Sequence, residues 1–229
     1  MIRYSLHTYA PDCIHGFGAS LGQQHVEPLL DLLCSRTFEQ TNFTPVPSEI
    51  VLIDFEGIEA VTASYLKALI LPILLGDQGA IKSKFAREDI GKPETSIYPA
   101  VTGLSEDVRE ELQDVLELRG LPCLEALKWG EAGIQKARLL GILDPILKTT
   151  YTMLQRAQSA SATQLHSSYP GEQITITGWN NRLADLHRLR LATRTKQGRQ
   201  WIYEPISTEV IYGRVNVEST GKELHASAK

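Results

Sequence analysis

The stretch that decides the fold runs from Thr175 to Pro205, TITGWNNRLADLHRLRLATRTKQGRQWIYEP. Trp179, Leu183, Leu186 and Leu189 recur at three- and four-residue intervals, the spacing of one helix face. Asn181, Asp185 and Arg188 fall together on the opposite face, with Arg182 beside them. After Leu191 the period changes from helical to extended. Arg194 and Lys196 lead into Gln197-Gly198, and Arg199 leads out into Trp201-Ile202-Tyr203. Two short strands around a glycine turn read as a hairpin. The stretch predicts a helix closed by a basic β-hairpin.

The residues before it complete a module. Asp144-Pro145 is a helix entry, with Asp as N-cap and Pro at the first helical position. That helix runs through Ile146, Leu147, Tyr151 and Leu154 to about Ala157. Ser161-Ala-Thr-Gln164 matches a capping box and opens a short second helix with Leu165 inward. Pro170-Gly171 marks the loop that follows. Helix, short helix, long helix and hairpin, over residues 141–207, resemble the winged helix-turn-helix of transcription regulators. The resemblance implies binding of double-stranded DNA by Asn180, Asn181, Arg182, His187 and Arg188 from the third helix, with Lys196 and Arg199 from the wing. An Asn amide can pair bidentately with adenine and an Arg with guanine, each worth roughly 1–3 kcal/mol of discrimination. Wing cations act on phosphate and contribute affinity more than sequence choice. A winged helix that docks protein through the same face is the competing reading.

Charge distribution supports a segment that meets an anion. The whole chain of 229 residues carries a formal net charge of −4. Residues 163–205 hold five Arg and one Lys against two Glu and one Asp, a net of +3, which leaves −7 for the remainder. A basic module on an acidic body is the asymmetry expected of a localised anion-binding surface.

The amino-terminal half reads as alternating strands and helices. Arg3 to Tyr9 is a strand candidate, and the segment from His15 to Ser35 turns helical with Val26, Leu29, Leu30, Leu32 and Leu33 on one side. Gly16, Gly18 and Gly22 are spaced GxGxxxG, which departs from the dinucleotide fingerprint and reads as a tight turn feeding a helix. Glu49 to Phe55 is a continuous apolar run, typical of a strand buried on both faces. Thr62 is the expected N-cap of the next helix, which continues through Leu66, Leu69, Ile70, Ile73 and Leu74. Residues 77–96 form a polar loop with Lys82, Lys84, Arg87 and Lys92. Ile97 to Val101 is a strand, Ser105 caps a helix stopped by Gly120 and Pro122, and Cys123 to Leu127 is a last strand.

The segment IDFEGIEAVTASYLKAL, residues 53–69, resembles the central strand, turn and helix of STAS-like domains, the fold of anti-sigma-factor antagonists. The resemblance implies a partner ATPase-type kinase that phosphorylates a hydroxyl at that helix start, where the matching residues are Thr62 and Ser64. The usual Asp-Ser-Ser-Gly is here Thr62-Ala63-Ser64-Tyr65.

The expected fold class is α/β: a STAS-like α/β layer over residues 1–140, then a small α+β winged helix-turn-helix over 141–207 and a tail over 208–229. No enzyme, metal or cofactor site is expected. The six histidines share no metal spacing, the three cysteines are widely separated, and Asp54 at a strand end has no partner that the sequence identifies. The longest apolar run, Tyr65 to Leu75, is too short to span a bilayer. The expected function is that of a cytoplasmic, homodimeric DNA-binding regulator whose first domain receives a signal or partner. The alternative is a phospho-regulated partner-switch adaptor, including one within a multi-protein defence system.

Overall fold

The computed structural model describes residues 1–9, 15–39, 49–75 and 97–212. The polar loop of residues 77–96 and its four cations lie outside these. The first strand, β1 (Ile2–Ser5), is shorter than expected, because Leu6–Tyr9 turns into the short helix α1. A two-residue strand β2 (His15–Gly16) precedes helix α2 (Ala19–Glu39). Strand β3 (Glu49–Asp54) follows, then β4 (Ala60–Val61), which pairs with β2, and helix α3 (Ala63–Leu74). Next come β5 (Ile97–Thr102), α4 (Glu106–Arg119) and a long antiparallel hairpin of β6 (Pro122–Gly130) and β7 (Gly133–Gly141).

Strands β1, β3, β5 and β6 lie side by side in chain order and are mutually parallel. Parallel crossovers are right-handed, so a sheet that advances steadily in one direction receives all its crossover helices on one face. The burial pattern agrees. Val51, Ile53 and Val101 share a core with Val26 and Leu29 of α2, Leu66 and Leu69 of α3, and Val108 and Leu112 of α4. Their neighbours Leu52, Tyr98 and Ala100 point to the opposite face. That second face is as apolar as the first and must also be covered.

The rest of the chain covers it. Helices α5 (Pro145–Ala157), α6 (Ala162–Ser168) and α7 (Ile176–Arg188) precede the hairpin of β8 (Ala192–Gln197) and β9 (Gln200–Pro205). Each expected cap is present. Asp144 accepts from the amides of Ile146 and Leu147, Ser161 and Gln164 form the reciprocal capping box, and Ser105 accepts from Val108. Tyr151, Leu154, Trp179, Leu183, Leu186 and Tyr203 form one core with Leu52, Tyr98, Ala100, Leu124 and Leu139 of the sheet. The hairpin is tied back by Ala160, which exchanges two backbone hydrogen bonds with Tyr203 at 2.9 and 3.0 Å.

Two sequence expectations need correction. Cys123 to Leu127, expected to be the last strand of the first domain, lies within β6, and a further strand, β7, follows it before the helical module. Residues 208–212, expected to begin a tail, belong to a sixth strand, β10 (Ser207–Tyr212), which pairs in parallel with β7. The resulting order is β1-β3-β5-β6-β7-β10, so the helical module leaves the sheet from one strand and returns beside it.

Candidate nucleic-acid interface

The exposed side of α7, the start of α6 and one face of the β8–β9 hairpin enclose a groove of about 360 Å³. The two-residue turn Gly198-Arg199 sets the register, with Gln197 opposite Gln200 and Lys196 opposite Trp201. Gly198 takes φ +60°, the left-handed conformation such a turn requires. Alternation then places Arg194, Lys196, Trp201 and Tyr203 on one face. Tyr203 is buried against the module, whereas Trp201 remains 38% exposed beside the groove. The Arg194 guanidinium lies 4.5 Å from the Trp201 ring centre and the Lys196 ammonium 5.9 Å from it. The indole therefore carries a cation over its ring and orients it.

Of the residues expected to contact DNA, Asn180, Asn181 and Arg199 line this groove together, with Ala184, Arg194, Gln200, Trp201, Ser161 and Thr163. Both asparagines are exposed. Lys196 stands at the edge, on Trp201. Three expected residues are placed elsewhere. Arg182 is half-buried, with its guanidinium 5.8 Å from the Trp179 ring centre. Arg188, in the last turn of α7, is ion-paired with Asp185. His187 turns inward: its Nδ1 lies 3.1 Å from the Tyr98 hydroxyl on β5 and 3.1 Å from the Ala192 carbonyl. It joins α7 to the sheet and to the start of the hairpin. Arg194, Gln200 and Trp201 were not among the expected contacts, although the alternation about Gly198-Arg199 placed Arg194 and Trp201 on one face.

The hydroxyl pair expected from the STAS resemblance lies across the sheet from the groove, on the α3 side. Thr62 Oγ1 accepts from the Tyr65 amide at 3.3 Å and from the Gly18 amide at 3.1 Å, so it caps α3 and ties the start of α2 to it. Ser64 Oγ is 3.1 Å from Thr62 Oγ1 and is exposed. The glycine spacing has a packing origin. A methyl group at Gly22 would sit 2.5 Å from the Tyr65 carbonyl oxygen, and one at Gly16 would sit 2.7 Å from the Tyr65 ring.

Asp54, His25 and Cys123 are buried in the structure. Asp54 accepts from Arg3 Nε at 2.9 Å and Nη2 at 2.5 Å, and from the Glu56 amide at 3.0 Å, which fixes the end of β3 to β1. His25 Nδ1 is 2.7 Å from the Tyr65 hydroxyl, and burial pulls its pKa below the ordinary 6.5. Burial pushes the Cys123 thiol up to about 12, so it is protonated at neutral pH. Among the described residues no cluster of three His, Cys, Asp or Glu could hold a metal ion, and no helix is long and apolar enough to cross a membrane. Comparison with family models, with curated proteins and with solved structures finds no match.

Proposed function

We propose that this chain is a DNA-binding regulator in which the α5–α7 helices and the β8–β9 hairpin act as a winged helix. The observation that carries this reading is the groove itself. It brings two exposed amides on a helix together with two arginines and a tryptophan on the adjoining hairpin. Such a surface offers amide hydrogen bonds to base edges and cations to the flanking phosphates. The opposite face of the sheet, with α2, α3 and α4, supplies the surface for a signal or partner. A homodimer is part of the proposal, since one helix and hairpin cover only a short half-site.

The test is a duplex-DNA binding titration of the full chain at several salt concentrations. Arg194→Ala combined with Arg199→Ala should weaken binding at least tenfold and flatten the salt dependence, since each lost phosphate contact removes about 0.9 from the log–log slope. Unchanged affinity and slope in a folded double variant would sink the reading.

A second reading is favoured by the exposure of Ser64. Thr62 is engaged by two amides, so under a partner-switch scheme the STAS-like layer would receive phosphate on Ser64. Phosphopeptide mapping of residues 61–67 from the native cell decides it. A spectrum with only unmodified Ser64 under every growth condition removes the scheme.

A further inference from the structure

We infer that α7 reads an A·T-centred half-site, with Asn180 and Asn181 on adenine and Ile176 on the thymine methyl group. The inference rests on the DNA-binding reading above and narrows it to a class of operator.

Helices of this kind meet base edges with their amino-terminal turns. The exposed side chains on the first turns of α7 are Ile176, Thr177, Asn180 and Asn181. Ile176 is 42% exposed and belongs to neither core, so its apolar surface is available for a contact. The asparagines line the groove, one turn farther along the helix.

The chemistry of the base edges then decides. Guanine presents two acceptors, O6 and N7, to the major groove, and a bidentate contact needs two donors from one side chain. Arginine supplies these, but no arginine of α7 lines the groove. Arg182 packs on Trp179, and Arg188 is paired with Asp185 at the far end of the helix. His187, the other expected donor, is turned into the sheet against Tyr98. Adenine presents N6–H as donor and N7 as acceptor, which an amide matches with its own oxygen and nitrogen. Thymine adds a methyl group, for which Ile176 is an apolar partner. The groove cations Arg194 and Arg199 belong to the hairpin, where phosphate or the narrow, electronegative minor groove of A·T tracts suits them.

The experiment is selection of bound sequences from a random duplex library with the full chain, followed by titration of the selected duplex and two analogues. One analogue carries 7-deazaadenine, which lacks the N7 acceptor. The other carries deoxyuridine for thymidine, which lacks only the methyl group. An A·T-centred selected site is expected, with affinity lowered roughly tenfold by 7-deazaadenine at the contacted position. Asn180→Ala or Asn181→Ala should erase that penalty, and Ile176→Ser should erase the smaller penalty of deoxyuridine. Binding that selects G·C-centred sites, or is indifferent to 7-deazaadenine, overturns this inference while the DNA-binding reading stands. Failure to bind any duplex overturns both.

Discussion

Glu125→Ala lowers the unfolding free energy by about 3–5 kcal/mol, read as a fall in the urea midpoint at unchanged slope. Glu125 sits on β6 with its side chain 4% exposed. Both of its oxygens accept from Arg109 Nε of α4 at 3.0 Å, and Oε2 also accepts from Arg138 Nη1 of β7 at 3.0 Å. The two arginine side chains are themselves only 20% and 18% exposed. Removing the carboxylate leaves two guanidinium groups largely out of water, and among the described residues only Arg109 retains another carboxylate, that of Glu106. Desolvation of an uncompensated charge is the cost. Replacing Glu125, Arg109 and Arg138 together by apolar residues of similar volume should restore most of the loss, because no charge then remains to be desolvated. A loss below about 1 kcal/mol for Glu125→Ala would show that water reaches the site and screens it.

Trp179→Ala costs about 3–5 kcal/mol as well, by a different route: loss of the buried ring and the cavity it leaves. Trp179 is fully buried, with the Tyr169 ring 6.3 Å away. Its indole N–H has no acceptor among the described residues, so the ring is held by its packing and by the Arg182 guanidinium beside it. Its core is continuous with the sheet through Leu52, Tyr98, Ala100 and Leu139. The loss should therefore shift one cooperative transition for the whole chain. Far-UV circular dichroism and alkylation of Cys123, mapped by peptide mass, report on different parts. Cys123 lies in the core on the other side of the sheet. Coincident midpoints support a shared core. Two separated transitions, with Cys123 protected after the module has melted, would refute it.

Much of this was legible in the chain. The three- and four-residue spacing of Trp179, Leu183 and Leu186 marked the buried side of α7, and the glycine turn marked the hairpin. Ser105, Thr62, Asp144 and Ser161 act as the caps their contexts predict, since capping is a local interaction. What failed was non-local. Residues 128–141 carry Lys128, Lys136 and Arg138 among apolar residues, which hid the period of two along β6 and β7. Arg138 is tolerated there because the Glu125 carboxylate, which also pairs with Arg109 of α4, meets it from the neighbouring strand, a pairing no local window contains. At the candidate interface the hairpin register brought Arg194 and Trp201 together, whereas helical periodicity alone could not tell that His187 faces Tyr98 on a strand 89 positions earlier.

The return of β10 to the sheet bears on the order of folding. The Thr208 hydroxyl donates to the Gln135 carbonyl at 2.6 Å across 73 positions of chain. In an unfolded chain, closing a loop of that length costs conformational entropy before any contact offsets it. Once the three helices and the hairpin have formed, their two ends already lie on neighbouring strands, and most of that entropy has been lost in steps that each bury apolar surface. Strand β10 is thus expected to close late, onto a nucleus built from local contacts. During synthesis the ribosome must release residues 207–212 before the sheet can be completed, and until then the open side of β7 is an unpaired edge.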